Sequence, residues 1–303
     1  GGPEADILSG LGGDDRLAGG PGDDLLDGGP GRDTALFEGA PQGFTITFGP
    51  GGVVVTERVS AGGEGEGAGE GGGADRLVSI EALDFALPGG GTETLDLAVF
   101  LPVLEAEAGD LRDATLAYVA LLDRLPDALG LYYWAGQLAG GADLGAIAAE
   151  FVQTGEAQAI WGPALGDPGA LIDLAYERIL GREADAGGAR FWTEALETGG
   201  LAPGAFLWQF TLGAVRGDGA DARTLSDKID LGLAFAAIEG LTDVEAAGDA
   251  LDLYDPADRA PSRDAALAFI DALASTAAAP APVDDAQLLA PLSGLVDDPF
   301  AMA

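Results

Sequence analysis

Residues 1–36 divide into four consecutive nine-residue blocks, GGPEADILS, GLGGDDRLA, GGPGDDLLD and GGPGRDTAL. Each block opens with glycine and carries aspartate at its sixth place: Asp6, Asp15, Asp24 and Asp33. Leu8, Leu17 and Leu26 hold the eighth place of the first three. Carboxylates and glycines at a fixed spacing suit the binding of hard cations by oxygen. A calcium-sized ion takes roughly six to eight oxygen ligands, from carboxylates and backbone carbonyls, in flexible geometry. Glycine at positive φ lets neighbouring carbonyls turn toward one point, and aspartate adds a carboxylate on a short stem. The residues after each aspartate suffice only for a very short strand with one inward side chain. A stack of such units buries a thin leucine column beside a row of ions, and no unit is stable alone.

The blocks resemble the RTX calcium-binding nonapeptide G-G-x-G-x-D-x-U-x. The resemblance implies a short parallel β-roll, two blocks per turn, with calcium between successive turns. It pairs Asp6 with Asp24 and Asp15 with Asp33. It also implies that backbone carbonyls at Gly13, Gly20, Gly22, Gly29 and Gly31 complete about two sites. Glu4 and Leu11 replace glycines of the pattern, and Arg32, Thr34 and Ala35 weaken the fourth block.

Composition bounds the rest. The chain has 303 residues, 48 % of them apolar, enough for about two domains with real cores. Asp plus Glu number 51 against 14 Lys plus Arg, a net charge of −37. Nucleic acid is therefore not an expected partner, since phosphate binding needs basic patches, and anionic membrane surfaces are disfavoured likewise. Such acidity suits a protein that meets divalent cations, or one from salty surroundings. With no Cys and no His, thiolate nucleophiles, His-assisted nucleophiles and the usual zinc ligands are excluded. No apolar run approaches the roughly 20 residues of a membrane span, and no Sec-type leader is visible. The opening glycine, in frame with the blocks, suggests a fragment or processed product, with more repeats or another domain expected upstream.

Beyond the blocks, FTITF and VVVTER (within residues 44–58) predict two strands around a Gly/Pro turn. Residues 61–73 hold eight glycines and three glutamates and predict a flexible loop. GADRLVSIEALDFAL (residues 73–87) resembles the β-rich tail that closes RTX stacks. Asp75 within it reads first as a turn residue, with ion binding as its alternative. From about residue 101 the apolar spacing becomes helical: Thr115, Tyr118, Val119, Leu122 and Leu125 share one face. Asp127 and Asp143 are candidate helix caps. AYVALLDRLPDALGLYYWAGQL (117–138) aligns with AYERILGREADAGGARFWTEAL (175–196), matching Tyr118, Arg124, Asp127, Gly130 and Trp134 to Tyr176, Arg182, Asp185, Gly188 and Trp192. The shared phrase resembles the helical domain of unknown function 4214, for which no catalytic residues are implied.

The expected organisation is multidomain, β then α. A calcium-binding β-roll occupies 1–36, a β-rich cap 37–100, an all-α domain built from an internal repeat 101–278, and a linker and tail 279–303. The Arg-Asp pairs read as capped turns before they read as ligand sites, and the aromatics Tyr132, Tyr133, Trp134, Phe191 and Trp192 as core before a sugar platform. Asp297, Asp298, Phe300 and Met302 resemble an uncleaved C-terminal export signal, with a frayed tail as the alternative. The expectation is a non-enzymatic, secreted or surface-associated calcium-binding protein that meets export machinery and a cell-surface or glycan partner. A surface adhesion or carbohydrate-binding module is the alternative, and a carboxylate-dependent hydrolase ranks behind both.

Overall fold

The structure is a computed structural model and describes residues 1–49, 51–58, 73–198 and 200–274. The glycine-glutamate loop, apart from Gly73, and the 279–303 tail lie outside the described residues.

Each nonapeptide block yields one short strand. These are β1 (Ile7–Ser9), β2 (Arg16–Leu17), β3 (Leu25–Asp27) and β4 (Thr34–Glu38). Five more strands follow: β5 (Phe44–Gly49), β6 (Gly52–Glu57), β7 (Ala74–Val78), β8 (Ala82–Ala86) and β9 (Thr92–Asp96). Alternate blocks go to different sheets, ordered β1-β3-β7-β6-β5 and β2-β4-β8-β9. Leu8, Leu26 and Leu77 stand in parallel register in the first sheet, and Leu17, Ala35 and Leu83 in the second. Leu26, Ala35, Leu77 and Leu83 are buried, while Leu8 and Leu17 pack on the core from partly exposed positions. The apolar column therefore thickens away from the N-terminus.

The expected short parallel β-roll is corrected: both sheets are mixed. β6 runs antiparallel to β7 and to β5, and β9 antiparallel to β8. Four short blocks give each sheet two parallel strands and an open edge of unpaired N–H and C=O groups. β7 and β8 cover that edge as a third parallel strand in each sheet, and the antiparallel strands β6 and β9 then pair with the edges of β7 and β8.

The remainder of the described chain is helical, as its spacing predicts. Its elements are α1 (Ala108–Leu121), α2 (Ala128–Ala139), α3 (Leu144–Gln153), α4 (Gly155–Trp161), α5 (Pro168–Leu180), α6 (Ala186–Glu197) and α7 (Pro203–Val215). Then come α8 (Ala220–Leu233), running on into a π-helical turn at Ala234–Ile238, α9 (Val244–Asp252) and α10 (Arg259–Ala274). Side chains of Asp127, Asp143, Asp167, Asp185 and Asp243 accept backbone N–H groups at the starts of α2, α3, α5, α6 and α9. Part of the acidic surplus is thus spent on capping, where a carboxylate also meets the positive end of the helix dipole.

α1 is the buried axis of this region, with every residue from Ala114 to Leu121 inaccessible. Trp161 is fully buried and its indole N–H donates to the Leu121 carbonyl at 2.8 Å, closing the C-terminal end of α1. Strands and helices share one apolar cluster. The Phe48 ring lies 5.9 Å from Phe100 and 5.1 Å from Tyr132. The Ile46 amide donates to the Gly240 carbonyl at 2.9 Å. The Thr242 hydroxyl reaches the Pro41 and Phe44 carbonyls at 2.8 and 3.0 Å.

Lys228, the sole lysine of the chain, is buried with its ammonium donating to the Arg178 carbonyl at 2.8 Å. Burial pulls it down to about 8, only partly offset by Asp123 and Asp252. In the unfolded chain it stays protonated to near 10.5. The unfolded state therefore binds more protons above pH 8, and stability should rise with pH until tyrosine ionisation near 10. We expect urea unfolding at fixed calcium to show a gain of ~1–2 kcal/mol across that window. Lys228→Met should abolish the gain, and an equal rise in the variant would refute this account.

Candidate metal centre

The sixth-place aspartates line up across the turns. The Asp6 amide donates to Asp24 Oδ1 at 2.7 Å, and the Asp15 amide to Asp33 Oδ1 at 2.8 Å. The structure thus brings together Asp6 with Asp24 and Asp15 with Asp33. The ladder continues past the blocks: the Asp24 amide donates to Asp75 Oδ1 at 3.1 Å and the Asp33 amide to Glu81 Oε2 at 2.7 Å. Asp75 lies inside β7, so its reading as a turn residue is corrected.

At Asp24 and Asp33 one carboxylate oxygen is thereby used, and the other is not. Asp15 Oδ2, Asp24 Oδ2 and Asp33 Oδ2 are buried without a hydrogen-bond partner. Asp24 and Asp33 are only 2 % and 0 % exposed. A buried, unpartnered carboxylate oxygen costs several kcal/mol unless a proton donor or a cation meets it. A β-carbon built on Gly10 would sit 2.6 Å from Asp15 Oδ2 and 2.8 Å from the Gly28 carbonyl oxygen. The cradle is therefore lined by carboxylate and carbonyl oxygen, and only glycine leaves it open. Oxygen-only donors without nitrogen or sulfur fit a hard divalent cation.

All five glycines assigned to the sites from the sequence have positive φ: Gly13, Gly20, Gly22, Gly29 and Gly31. Leu11, which replaces a pattern glycine, is forced to φ 71° and stands exposed. Among the described residues no group of three or more acidic side chains converges. Any ion held here draws on one or two carboxylates and on backbone carbonyls for the balance.

Burial pushes the Asp24 carboxyl above its ordinary range, with the nearby Asp6 charge adding to the effect and the Asp6 amide opposing it. Burial likewise pushes Asp75 up to about 7, against the hydrogen bond from the Asp24 amide and with the Asp24 charge. A divalent cation is the kind of neighbour that reverses both effects. On the second sheet Asp84 is held low instead, by the Thr94 hydroxyl and by Arg16, whose guanidinium lies 2.7 Å away.

Two constellations in the helices complete the sequence-derived candidates. Arg124 lies 5.0 Å over the Tyr118 ring and pairs with Asp127 at 3.4 Å and Glu156 at 2.6 Å. Arg182 lies 4.7 Å over Tyr176 and pairs with Asp185 at 3.6 Å and Asp221 at 2.7 Å. Asp127 and Asp185 cap α2 and α6, so these pairs serve the turns. Trp134 and Trp192 pack partly buried on the core, Trp134 at 5.2 Å from Phe151 and Trp192 at 5.2 Å from Phe206. Tyr132 is buried, whereas Tyr133 and Phe191 are 37 % and 63 % exposed.

Residues 1–35 match the model of the RTX calcium-binding nonapeptide repeat. That model describes four copies of the repeat. Residues 110–161, from α1 to the end of α4, match the domain of unknown function DUF4214. That match ends before the second copy of the Tyr-Arg-Asp-Gly-Trp phrase. No curated protein and no solved structure matches the chain. No described helix is long and apolar enough to cross a membrane.

At Gly22, φ is 126° and a β-carbon would lie 2.8 Å from the Glu4 carbonyl carbon and oxygen. We expect Gly22→Ala to destabilise the stack by about 1–3 kcal/mol. Hydrogen exchange should then speed up at 25–27 and 76–78 while α1 keeps its protection. Unchanged exchange in β3 and β7 would contradict the close stacking.

Proposed function

We propose that this is a secreted RTX-type calcium-binding protein whose leading section folds as calcium binds after export. The observation that carries the reading is the set of buried, unpartnered oxygens on Asp15, Asp24 and Asp33 within an in-register ladder. Asp6 with Asp24 and Asp15 with Asp33 would hold the ions, together with carbonyls of the bends that contain Gly13, Gly20, Gly22, Gly29 and Gly31. Calcium bound there supplies positive charge that offsets the desolvation and mutual repulsion of the carboxylates. The chain's own residues do the rest. The ladder amides of Asp6 and Asp15 fix one oxygen of Asp24 and of Asp33, the glycines let successive bends approach, and Leu26, Leu77 and Leu83 seal the inner face.

The net charge of −37 supports the coupling, since like charges crowd the leading section when no cation is bound. Extracellular calcium modules bind with Kd of ~10⁻⁴ to 10⁻³ M, a range that leaves a chain unfolded before export and folded outside. In this reading 1–36 is the calcium module, 37–100 its β-rich cap and 101–278 a non-catalytic helical domain of two tandem copies. The matching Arg-over-Tyr and Asp-cap contacts of the two copies support the last point. A second reading makes the helical domain a glycan- or cell-surface-binding module, favoured by the exposed edges of Tyr133 and Phe191.

Circular dichroism should gain β signal on addition of calcium and lose it in chelator, with the helical signal far less affected. Asp15→Asn with Asp33→Asn should lower the calorimetric stoichiometry by about one ion. Identical spectra in calcium and in chelator would refute calcium-coupled folding.

A further inference from the structure

The matched repeats end at residue 35, yet the ladder does not. After the β5–β6 hairpin and the loop behind it, the sequence reads Glu70-Gly71-Gly72-Gly73-Ala74-Asp75-Arg76-Leu77-Val78. Glycine falls at the second and fourth places, aspartate at the sixth and leucine at the eighth, the frame of residues 1–36. The first three places lie outside the described residues. Places four to nine are described, and they repeat the contacts made between the matched blocks.

At the fourth place, a β-carbon on Gly73 would strike the Gly22 carbonyl, as one on Gly31 would strike the Gly13 carbonyl. At the fifth, the Ala74 amide donates to Asp23 Oδ1 at 2.9 Å, as the Arg32 amide donates to Asp14 Oδ1 at 3.0 Å. At the sixth, Asp75 Oδ1 accepts from the Asp24 amide, as Asp24 Oδ1 accepts from the Asp6 amide. At the seventh, the Arg76 amide donates to the Asp24 carbonyl at 2.7 Å, as the Leu25 amide donates to the Asp6 carbonyl at 2.9 Å. At the eighth, Leu77 stands opposite Leu26. Asp75 is 6 % exposed and faces Asp24, whose Oδ2 is buried and unpartnered.

We propose that Asp75 belongs to a fifth repeat unit, displaced by an inserted hairpin, and that Asp24 and Asp75 hold a calcium ion additional to those of the four matched copies. The proposal rests on the calcium reading above. Asp24 then serves two neighbouring sites, one toward Asp6 and one toward Asp75. In the second sheet the equivalent step differs. Only Ser79 and Ile80 separate β7 from Glu81, where Gly28 to Arg32 separate β3 from Asp33. No glycine bend precedes Glu81, and its longer side chain closes the ladder by accepting the Asp33 amide.

Asp75→Asn separates this site from a merely structural aspartate, because asparagine keeps an oxygen to accept the Asp24 amide while removing the charge. Equilibrium dialysis against calcium alone should show the full chain losing one bound ion in Asp75→Asn, or weakening one binding step at least tenfold. Asp33→Asn should remove an ion of the other row, and the double variant both. Hydrogen exchange at 82–86 in saturating calcium, equal in parent and Asp75→Asn, shows that the fold is kept. Equal stoichiometry and affinity in parent and Asp75→Asn would overturn the fifth unit while leaving the calcium reading intact. A parent chain that binds no calcium would overturn both.

Discussion

One hydrogen bond organises the leading section: the amide of each sixth-place aspartate donates to the carboxylate one turn further along, Asp24, Asp33, Asp75 or Glu81. It fixes the register of the strands, since Leu26 meets Leu8 and Leu77 only if Asp24 meets Asp6 and Asp75. At Asp24 and Asp33 it also consumes one carboxylate oxygen and leaves the other buried. The same bond that orders the stack thus creates the demand for positive charge inside it. An apolar core of two or three leucines per sheet would stabilise such short strands by only a few kcal/mol, against an ordering entropy of about 1–2 kcal/mol per residue. A cation bound as proposed would supply what the leucine column lacks.

The cap answers a different problem. Parallel strands of two or three residues leave sheet edges that would pair with anything extended. β7 and β8 extend the parallel strands, β6 and β9 pair antiparallel with β7 and β8, and β5 carries the first sheet into contact with the helices through Ile46, Phe48 and the Thr242 hydroxyl. The strands that carry the carboxylate ladder and the helical core are successive layers of one continuous interior. Ring stacking of Phe37, Phe44 and Phe85 marks the join between the two sheets, with centroids 5.1 to 5.5 Å apart.

Much of this was legible in the sequence because the signals are periodic. The ninefold spacing revealed the strands of residues 1–36, and all five glycines assigned to the sites adopt positive φ. Helical spacing and cap aspartates located α1 to α3 closely. What escaped lacked a period of its own. β9 has a polar sequence, TETLD, and gains its identity only from pairing with β8. Asp75 looked like a turn residue because the inserted hairpin broke the frame, although Gly73 and Leu77 flank it at the repeat spacing. Glu81 has no motif at all; its role follows from a turn too short for a glycine bend. The mixed character of the sheets likewise depends on which edge a hairpin covers, which local sequence does not encode.

The seam between Thr242 and Pro41 joins residues 201 positions apart. Contacts that distant in the chain are slow to find, because a long loop must close before they give anything back. The strands and the helices satisfy most of their backbone within their own regions, so this seam is the longest-range hydrogen-bonded closure among the described residues, and β5 is the tenon that joins the stack to the bundle.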